Sequence, residues 1–243
     1  MSHHNYIRLP LRQTFNTRDL GGYASANGAA TRWRAFLRSD DPAHCEQDDI
    51  DFLLSYGLRT VIDLRSKLEC DLAPNPFAQV SEVHYANIPL GFDHYDQAES
   101  LDDLNDAIPT LAEFYLMILQ EKPYQVREIF ELMVDRLPDT TLFHCVVGKD
   151  RTGVVAMLLL SLAEVSTGDI LTNYEVTFSH VMQNPRFLES MGDTSAELLQ
   201  SRPESLLPAY EYVHQHFGGA AGYLHSTGMA PERIEKLKAF LLS

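Results

Sequence analysis

The sequence lacks paired cysteines and long apolar runs. Its three cysteines, Cys45, Cys70 and Cys145, are far apart and form no CxxC motif. An odd number of distant cysteines argues against a disulfide framework and favours a reducing compartment. The longest strongly apolar run, residues 154–163, is too short to cross a bilayer, and the N-terminus has no apolar stretch of signal-peptide length. We therefore expect a cytoplasmic protein without stable insertion into a membrane.

Positive charge is also scarce. Lysine and arginine together number 19, whereas aspartate and glutamate number 34, which gives a formal net charge of −15. A chain this acidic is repelled by nucleic acid and by anionic membrane surfaces, so we expect no nucleic-acid partner. Any anionic substrate must be held by a local positive site.

Metal-binding patterns are missing as well. The histidines are scattered, and the nearest pair, His214 and His216, has no HExxH motif or Cys/His quartet beside it. We therefore expect neither a metal nor a cofactor. The sequence carries no signal for an oligomeric state.

What is present is an alternation of short apolar runs with helix-period stretches. This alternation predicts an α/β fold with a mostly parallel central sheet flanked by helices and with extra C-terminal helices. The predicted strands are residues 34–38, 60–64, 83–88 and 141–143. The predicted helices are residues 48–56, 111–119, 125–137 and 152–165, followed by a helical remainder broken at Pro185, Gly192, Pro203 and Pro208. Because no repeat or linker interrupts the chain, we expect one domain over residues 1–243.

The most informative segment is residues 144–153, which read His-Cys-Val-Val-Gly-Lys-Asp-Arg-Thr-Gly between a predicted strand and a buried helix. A strand, a tight loop and a helix place a thiol at the bottom of a ring of backbone N–H groups. Such a ring binds a phosphate dianion, and the same field, next to an arginine, favours the reactive thiolate of Cys145. Gly148 lets the backbone turn close to the ligand.

The other side chains of this loop complete a phosphate site. Arg151 offers a planar fork that matches two phosphate oxygens, and Lys149 is expected as a second cation at the rim. Thr152 is placed to donate its hydroxyl to the sulfur when the cysteine leaves, and His144 to pack behind the loop. The predicted substrate-binding residues are His144, Val146, Val147, Gly148, Lys149 and Thr152.

These residues predict a cysteine-dependent phosphatase. Cys145 would take the phosphoryl group as a phosphocysteine, which water then hydrolyses, and the charge would be neutralised without a metal. One alternative is a pseudophosphatase, a phosphate-binding module without turnover. Another is a rhodanese-like sulfur transferase, against which the Lys-Asp pair and the Thr-Gly after the arginine argue.

With these residues in hand, the sequence resembles the protein tyrosine phosphatase superfamily. It is most similar to the atypical bacterial branch that has Lys-Asp before the loop arginine, which includes the mycobacterial tyrosine phosphatase B group and related bacterial lipid phosphatases. The resemblance extends over residues 16–22, 37–39, 61–66 and 210–242. It implies a phosphorylated protein or a phosphoinositide as the substrate. The negative charge of the chain favours the phosphoprotein.

The resemblance also suggests site residues and a moving part. Cys145, Lys149, Asp150 and Arg151 match the positions treated as catalytic in that branch. Some relatives carry a helical lid, which would fall within residues 173–205 here, although this segment matches poorly.

The leaving oxygen needs a proton, and three aspartates are candidates to supply it. Asp93 lies in an acidic loop-like stretch after a predicted strand, where this superfamily usually places its acid. Asp150 lies inside the phosphate loop and could act itself or orient the attacking water. Asp63 ends a predicted strand, but its Asp-Leu-Arg context predicts a structural pair with a nearby arginine.

Overall fold

A computed structural model describes residues 4–91, 110–191 and 200–242 of the chain. In this part of the chain the predicted α/β fold is confirmed. The strands are β1 (Arg18–Asp19), β2 (Phe36–Ser39), β3 (Leu58–Asp63), β4 (His84–Asn87) and β5 (Thr140–His144). They form one sheet in the order β1-β2-β5-β3-β4, in which β1 pairs antiparallel with β2 and the other neighbours are parallel.

Helices cover both faces of this sheet. The helices that precede the central strand β5 are α1 (Gln47–Tyr56), α2 (Lys67–Leu72), α3 (Leu111–Glu121) and α4 (Pro123–Asp135). Those that follow it are α5 (Asp150–Leu162), α6 (Thr167–Val181), α7 (Pro185–Met191), α8 (Pro203–Phe217), α9 (Ala220–Ser226) and α10 (Pro231–Leu241). Among the described residues, every helix is too short or too polar to span a bilayer.

The central strand β5 divides the core into two layers, because successive side chains of a strand point to opposite faces. Leu142 packs with α1 and β3 in the smaller layer, which also contains Phe77. Phe143 packs in the larger layer with α3, α4, α5 and the C-terminal helices. Both side chains are fully buried.

Helix α5 lies inside the larger layer, which explains why its sequence is apolar on all sides. Every residue from Thr152 to Leu160 is buried. Because α5 begins directly after the loop that follows β5, its N-terminus lies at the carboxyl end of the parallel strands. This edge is where open α/β sheets bind ligands.

The predicted elements agree with the observed ones to within a few residues. Two elements, β1 and α2, have no counterpart in the prediction. The predicted break at Pro208 is wrong, because Pro208 lies inside α8. A proline in the second helical turn removes only one backbone hydrogen bond there, while Leu206, Ala209 and Val213 hold the helix against the core.

Candidate active site

The thiol of Cys145 lies at the carboxyl end of β5, at the base of the loop that leads into α5. The residue is 2% exposed. Thr152, in the first turn of α5, donates its hydroxyl to the sulfur, with Oγ1 3.2 Å from Sγ. The contact predicted between these two residues is present.

The carbonyl oxygens of the loop are held from behind. The side-chain amide of Asn16 donates to the carbonyls of Val147 at 3.0 Å and Gly148 at 3.2 Å. Arg38, which is buried at the end of β2, donates to the same Gly148 carbonyl at 2.6 Å. The backbone N–H of Asp41 donates to the carbonyl of the preceding loop residue, Val146, at 2.9 Å.

These three bonded carbonyls determine where the loop amides point. In a trans peptide the N–H group points away from the C=O group. The amides of Val147, Gly148 and Lys149 therefore face away from Asn16, Arg38 and Asp41. Together with the N-terminus of α5, they form a concave donor surface that suits an anion.

Gly148 has a backbone conformation that other residues rarely adopt. Its φ is +69°, in the left-handed region. A Cβ atom at this position would lie 2.4 Å from the carbonyl oxygen of Ser39 in β2. The glycine is therefore required by the close approach of the loop to the neighbouring strand, in addition to the approach to a ligand predicted from the sequence.

Arg151, at the rim of the loop, forms a bidentate ion pair with Glu69 on α2. Its Nη1 lies 2.6 Å from Oε2 and its Nη2 2.8 Å from Oε1. Burial alone would raise the pKa of Glu69, but the hydrogen bond and the charge of Arg151 lower it. Glu69 stays a carboxylate and holds the guanidinium plane in one orientation.

Asp150, the first residue of α5, is partly exposed and bound from the core side. The hydroxyl of Tyr115 on α3 lies 2.5 Å from its Oδ1, and the hydroxyl of Tyr174 on α6 lies 2.6 Å from that of Tyr115. Lys149 places its Nζ 3.5 Å from the same carboxylate oxygen. Because Lys149 is only 3% exposed, the prediction of a cation at the exposed rim is wrong.

The ring of His144 lies behind the loop and is fully buried. Its Nδ1 is 3.0 Å from the carbonyl of Cys145. Its Nε2 is 2.8 Å from Nδ2 of Asn75 and 3.3 Å from Oδ2 of Asp63. The ring thus links the thiol-bearing residue to the end of β3, in the supporting position predicted from the sequence.

At the outer edge of the loop, Val146 is 40% exposed. Beside it opens a cleft of about 200 Å³, whose lining residues are Gln13, Asp40, Asp41, His44, Val146, Asn184, Arg186 and Phe187. The loop therefore lies at the edge of a surface cleft where a side chain next to a phosphate could fit.

Comparison with known proteins identifies the family. Residues 9–243 match the sequence model of the tyrosine phosphatase family. The chain belongs to the tyrosine phosphatase family. The resemblance drawn from the loop and its upstream segments is thereby confirmed, as is the predicted enzyme class, a protein tyrosine phosphatase.

Two bacterial relatives carry the same description. The chain is 30% identical over 223 residues to a tyrosine-protein phosphatase of Nostoc commune, covering 85% of this chain and 74% of that protein. It is 35% identical over 162 residues to a putative tyrosine-protein phosphatase of Cupriavidus necator, covering 65% of this chain and 59% of that protein. Among solved structures, that of P. aeruginosa TpbA in complex with pTyr superposes with a TM-score of 0.38 at 12% identity, covering 74% of this chain and 93% of that one.

The three aspartates predicted as candidate proton donors differ in where they lie. Asp63 is fully buried and forms an ion pair of 2.7 Å with Arg65, the structural pair predicted from the sequence. Burial would raise the pKa of Asp63, but hydrogen bonds from His144 and Arg65 hold it well below its usual range. Asp63 is therefore a fixed carboxylate without access to a substrate. Asp93 lies outside the described residues, and Asp150 lies in the loop itself.

Several residues that shape the site were missed by sequence reasoning. Glu69 had a readable signal, because Ser66 and Glu69 form a capping box at the start of α2. Asn16 and Arg38 stood in segments that carried the family resemblance, but no role could be assigned to them. Tyr115 and Tyr174 had no signal beyond their apolar helical spacing, since each comes from a separate helix.

Proposed function

We propose that the chain hydrolyses phosphotyrosine in proteins or peptides through a phosphocysteine intermediate. The observation that carries this proposal is the arrangement around one loop. A buried thiol accepts a hydrogen bond from Thr152 at the N-terminus of α5, and Arg151 is held at the rim by Glu69. Nucleophile, anion site and guanidinium clamp belong to seven consecutive residues, 145–151.

In the first step the thiolate of Cys145 attacks phosphorus, so that an S–P bond forms while the P–O bond to tyrosine breaks. The loop amides and Arg151 stabilise the charge on the three equatorial oxygens. The departing phenolate oxygen takes a proton from a carboxyl group, for which Asp150 and Asp93 are the candidates. Asp63 is no longer one, because it is buried and paired.

In the second step water attacks the phosphocysteine, the P–S bond breaks, and inorganic phosphate leaves. The sulfur regains its negative charge in this step. The hydroxyl of Thr152 stabilises that charge, because it already points at the sulfur at 3.2 Å. The carboxylate left by the first step accepts the proton of the attacking water.

The choice between phosphoprotein and phosphoinositide rests on charge. With a net charge of −15 the chain is repelled from an anionic membrane surface. The positive field of the loop acts only close to the loop. A soluble phosphotyrosine peptide carries only its own charge and does not bring the chain close to a charged membrane surface. We therefore infer a phosphoprotein substrate, with phosphoinositides as the alternative that the bacterial branch suggests.

A cytoplasmic location, a metal-independent reaction and a single domain over residues 1–243 belong to the same proposal. Each of the three cysteines is a free thiol, which suits a reducing compartment. A helical lid within residues 173–205 also stays a prediction. Residues 173–181 of α6, the whole of α7 and the first residues of α8 lie in that range.

The test is a panel of phosphotyrosine, phosphoserine and phosphothreonine peptides, soluble inositol phosphates and phosphoinositide vesicles, assayed by phosphate release. We expect turnover of the phosphotyrosine peptides and its loss in Cys145→Ser, while Cys45→Ser stays active. Acid quenching with a radiolabelled substrate should trap a phosphoenzyme in the wild type and none in Cys145→Ser. Activity that survives in Cys145→Ser would rule out the mechanism, and phosphate binding without turnover would establish the pseudophosphatase instead.

A further inference from the structure

Two buried phenols connect the loop carboxylate to the protein interior. Tyr115 comes from α3 and Tyr174 from α6, and their side chains are among the largest fully buried ones of the described residues. Their rings meet edge to face, with centroids 6.0 Å apart. This packing fixes both hydroxyl groups, one at 2.5 Å from Oδ1 of Asp150 and the other at 2.6 Å from the first.

The direction of these hydrogen bonds follows from proton counting. When Asp150 is ionised, its carboxylate can only accept, and a phenol has one proton to donate. Tyr115 therefore donates to Asp150, and Tyr174 must donate to Tyr115. Burial and the charge of Asp150 raise the pKa of Tyr115 well above its usual range, so the phenol keeps its proton.

Burial of two hydroxyl groups has a cost that is recovered only when they are hydrogen-bonded. Two phenylalanines at these positions would carry no such requirement. The hydroxyls converge on Asp150, whose side chain is 25% exposed at the phosphate loop. They thus hold a carboxylate that reaches both the core and the site.

We propose that Tyr115, supported by Tyr174, is a positioning residue that holds the carboxyl group of Asp150 as the proton-transferring group of the phosphatase reaction. This inference rests on the proposed function and selects Asp150 over Asp93. In the first step the Asp150 proton passes to the phenolic oxygen of the substrate phosphotyrosine as the P–O bond breaks. Tyr115 then donates to the carboxylate that remains, until the carboxylate takes a proton from the attacking water.

The first experiment measures kcat/KM of Tyr115→Phe and Tyr174→Phe with a phosphotyrosine peptide and with p-nitrophenyl phosphate. We expect Tyr115→Phe to lose about tenfold on the peptide, as part of the 10²–10⁴-fold that a positioned acid contributes. The loss should be smaller with p-nitrophenyl phosphate, whose better leaving group needs less help from an acid. Tyr174→Phe should change both values in the same direction and by less.

The second experiment repeats Tyr115→Phe and Tyr174→Phe in an Asp150→Asn background. If the phenols act through the carboxylate, the two Tyr→Phe substitutions should lower kcat/KM little in this background. The losses from the single variants will then not multiply. A purely structural role predicts the same fold-loss in both backgrounds, and that result would overturn the proposal. Should Tyr115→Phe fail to fold, Tyr174→Phe provides the same comparison.

Tyr223→Phe is the matched control. Tyr223 is 2% exposed in the same core layer, but its hydroxyl donates to the backbone carbonyl of Leu119 at 2.8 Å. We expect it to lower thermal stability without changing the dependence of kcat/KM on the leaving group. Failure of the proposed function is separable, because it appears as activity retained in Cys145→Ser or as phosphate binding without turnover in the wild type. Failure of this inference appears as a Tyr115 effect independent of Asp150.

Discussion

The guanidinium of Arg151 and the carboxylate of Glu69 meet fork to fork, with two N–O distances of 2.6 and 2.8 Å. Glu69 also accepts the backbone N–H of Ser66 at 2.7 Å, so one carboxylate closes the first turn of α2 and orients the arginine. The start of a six-residue helix is thereby coupled to the proposed phosphate site.

Glu69→Gln should lower phosphatase activity because it removes the charge that holds Arg151. A charge-assisted hydrogen bond contributes about 1.5–3 kcal/mol, so we expect kcat/KM to fall on the order of tenfold or more. The inhibition constant for inorganic phosphate should rise in parallel. Steady-state kinetics with phosphate as a competitive inhibitor measures both.

Asp71→Asn is the matched control for Glu69→Gln. Asp71 lies on the same helix and pairs with Lys67, but on the exposed side. It should leave both constants unchanged. Equal losses in the two variants would show that only the integrity of α2 matters, and that Glu69 does not orient the arginine.

Thr152→Val should slow breakdown of the phosphocysteine more than its formation. The variant keeps the buried volume but removes the hydroxyl that donates to Sγ at 3.2 Å. Because the sulfur is the leaving group only in the second step, we expect the intermediate to accumulate. Rapid-quench measurement of the phosphoenzyme burst would show this, whereas an unchanged burst and an unchanged kcat would contradict it.

Thr141, on strand β5, provides the control for Thr152→Val. The hydroxyl of Thr141 is buried and has no hydrogen-bond partner among the described residues. Thr141→Val should therefore leave kinetics unchanged and should keep or increase the free energy of unfolding. Comparison of the two valine variants separates loss of a hydroxyl from loss of a bond to sulfur.

Gly148→Ala should abolish the phosphate site. The left-handed backbone alone costs about 1–2 kcal/mol, and the new Cβ would lie 2.4 Å from the backbone oxygen of Ser39. The loop must move, so we expect loss of phosphate binding as well as of stability. Calorimetric titration with phosphate and urea unfolding measure the two effects.

Gly28→Ala measures the cost of the left-handed backbone conformation alone. Gly28 has a φ of +86° but no atom within 4 Å of the added Cβ. It should cost about 1–2 kcal/mol of unfolding free energy and no activity. If Gly148→Ala behaved like Gly28→Ala, the contact with β2 would not be what demands a glycine in the loop.

Asp40 should make stability depend on pH. Burial raises the pKa of Asp40 from 3.8 to about 6, although it accepts the backbone N–H groups of Phe15 and Asn16. Between about pH 4 and 6 the folded state then holds a proton that the unfolded state releases. The stability that this proton contributes is present at low pH and is lost as pH rises through 6.

Asp40→Asn removes this titration. Relative to the wild type, the variant should be least stable near pH 4 and should gain as pH rises to 7. Urea unfolding at several pH values gives the difference in free energy directly. A difference that stays constant over this range would show that Asp40 does not titrate there.

Much of the fold and of the chemistry could be predicted because the signals are local. Strand β5, the loop and helix α5 follow each other within residues 140–162, and apolar periodicity is enough to place them. Cys145, Arg151 and Thr152 lie in the same loop and helix turn. The contact between Thr152 and the sulfur of Cys145 depends on this short stretch of backbone, and it was predicted correctly.

The residues that orient this loop could not be predicted in the same way. Tyr115 is 35 positions from Asp150, and Asn16 is 132 positions from Gly148. Such pairs depend on how helices and strands pack, which no periodicity records. The burial of Lys149 was missed for the same reason, because the loop sequence alone does not show what lies over its side chain.

From the sequence alone the family could be predicted, and Cys145 and Arg151 could be proposed as nucleophile and phosphate clamp, because these depend on residue types at fixed spacing along one strand, loop and helix. Which groups hold that loop depends on how the helices and strands pack. Side chains from β2, α2, α3 and α6 meet there, since parallel strands bring their carboxyl ends to one edge of the sheet. The ion pair of Glu69 with Arg151 and the hydrogen bond from Tyr115 to Asp150 both form at that edge.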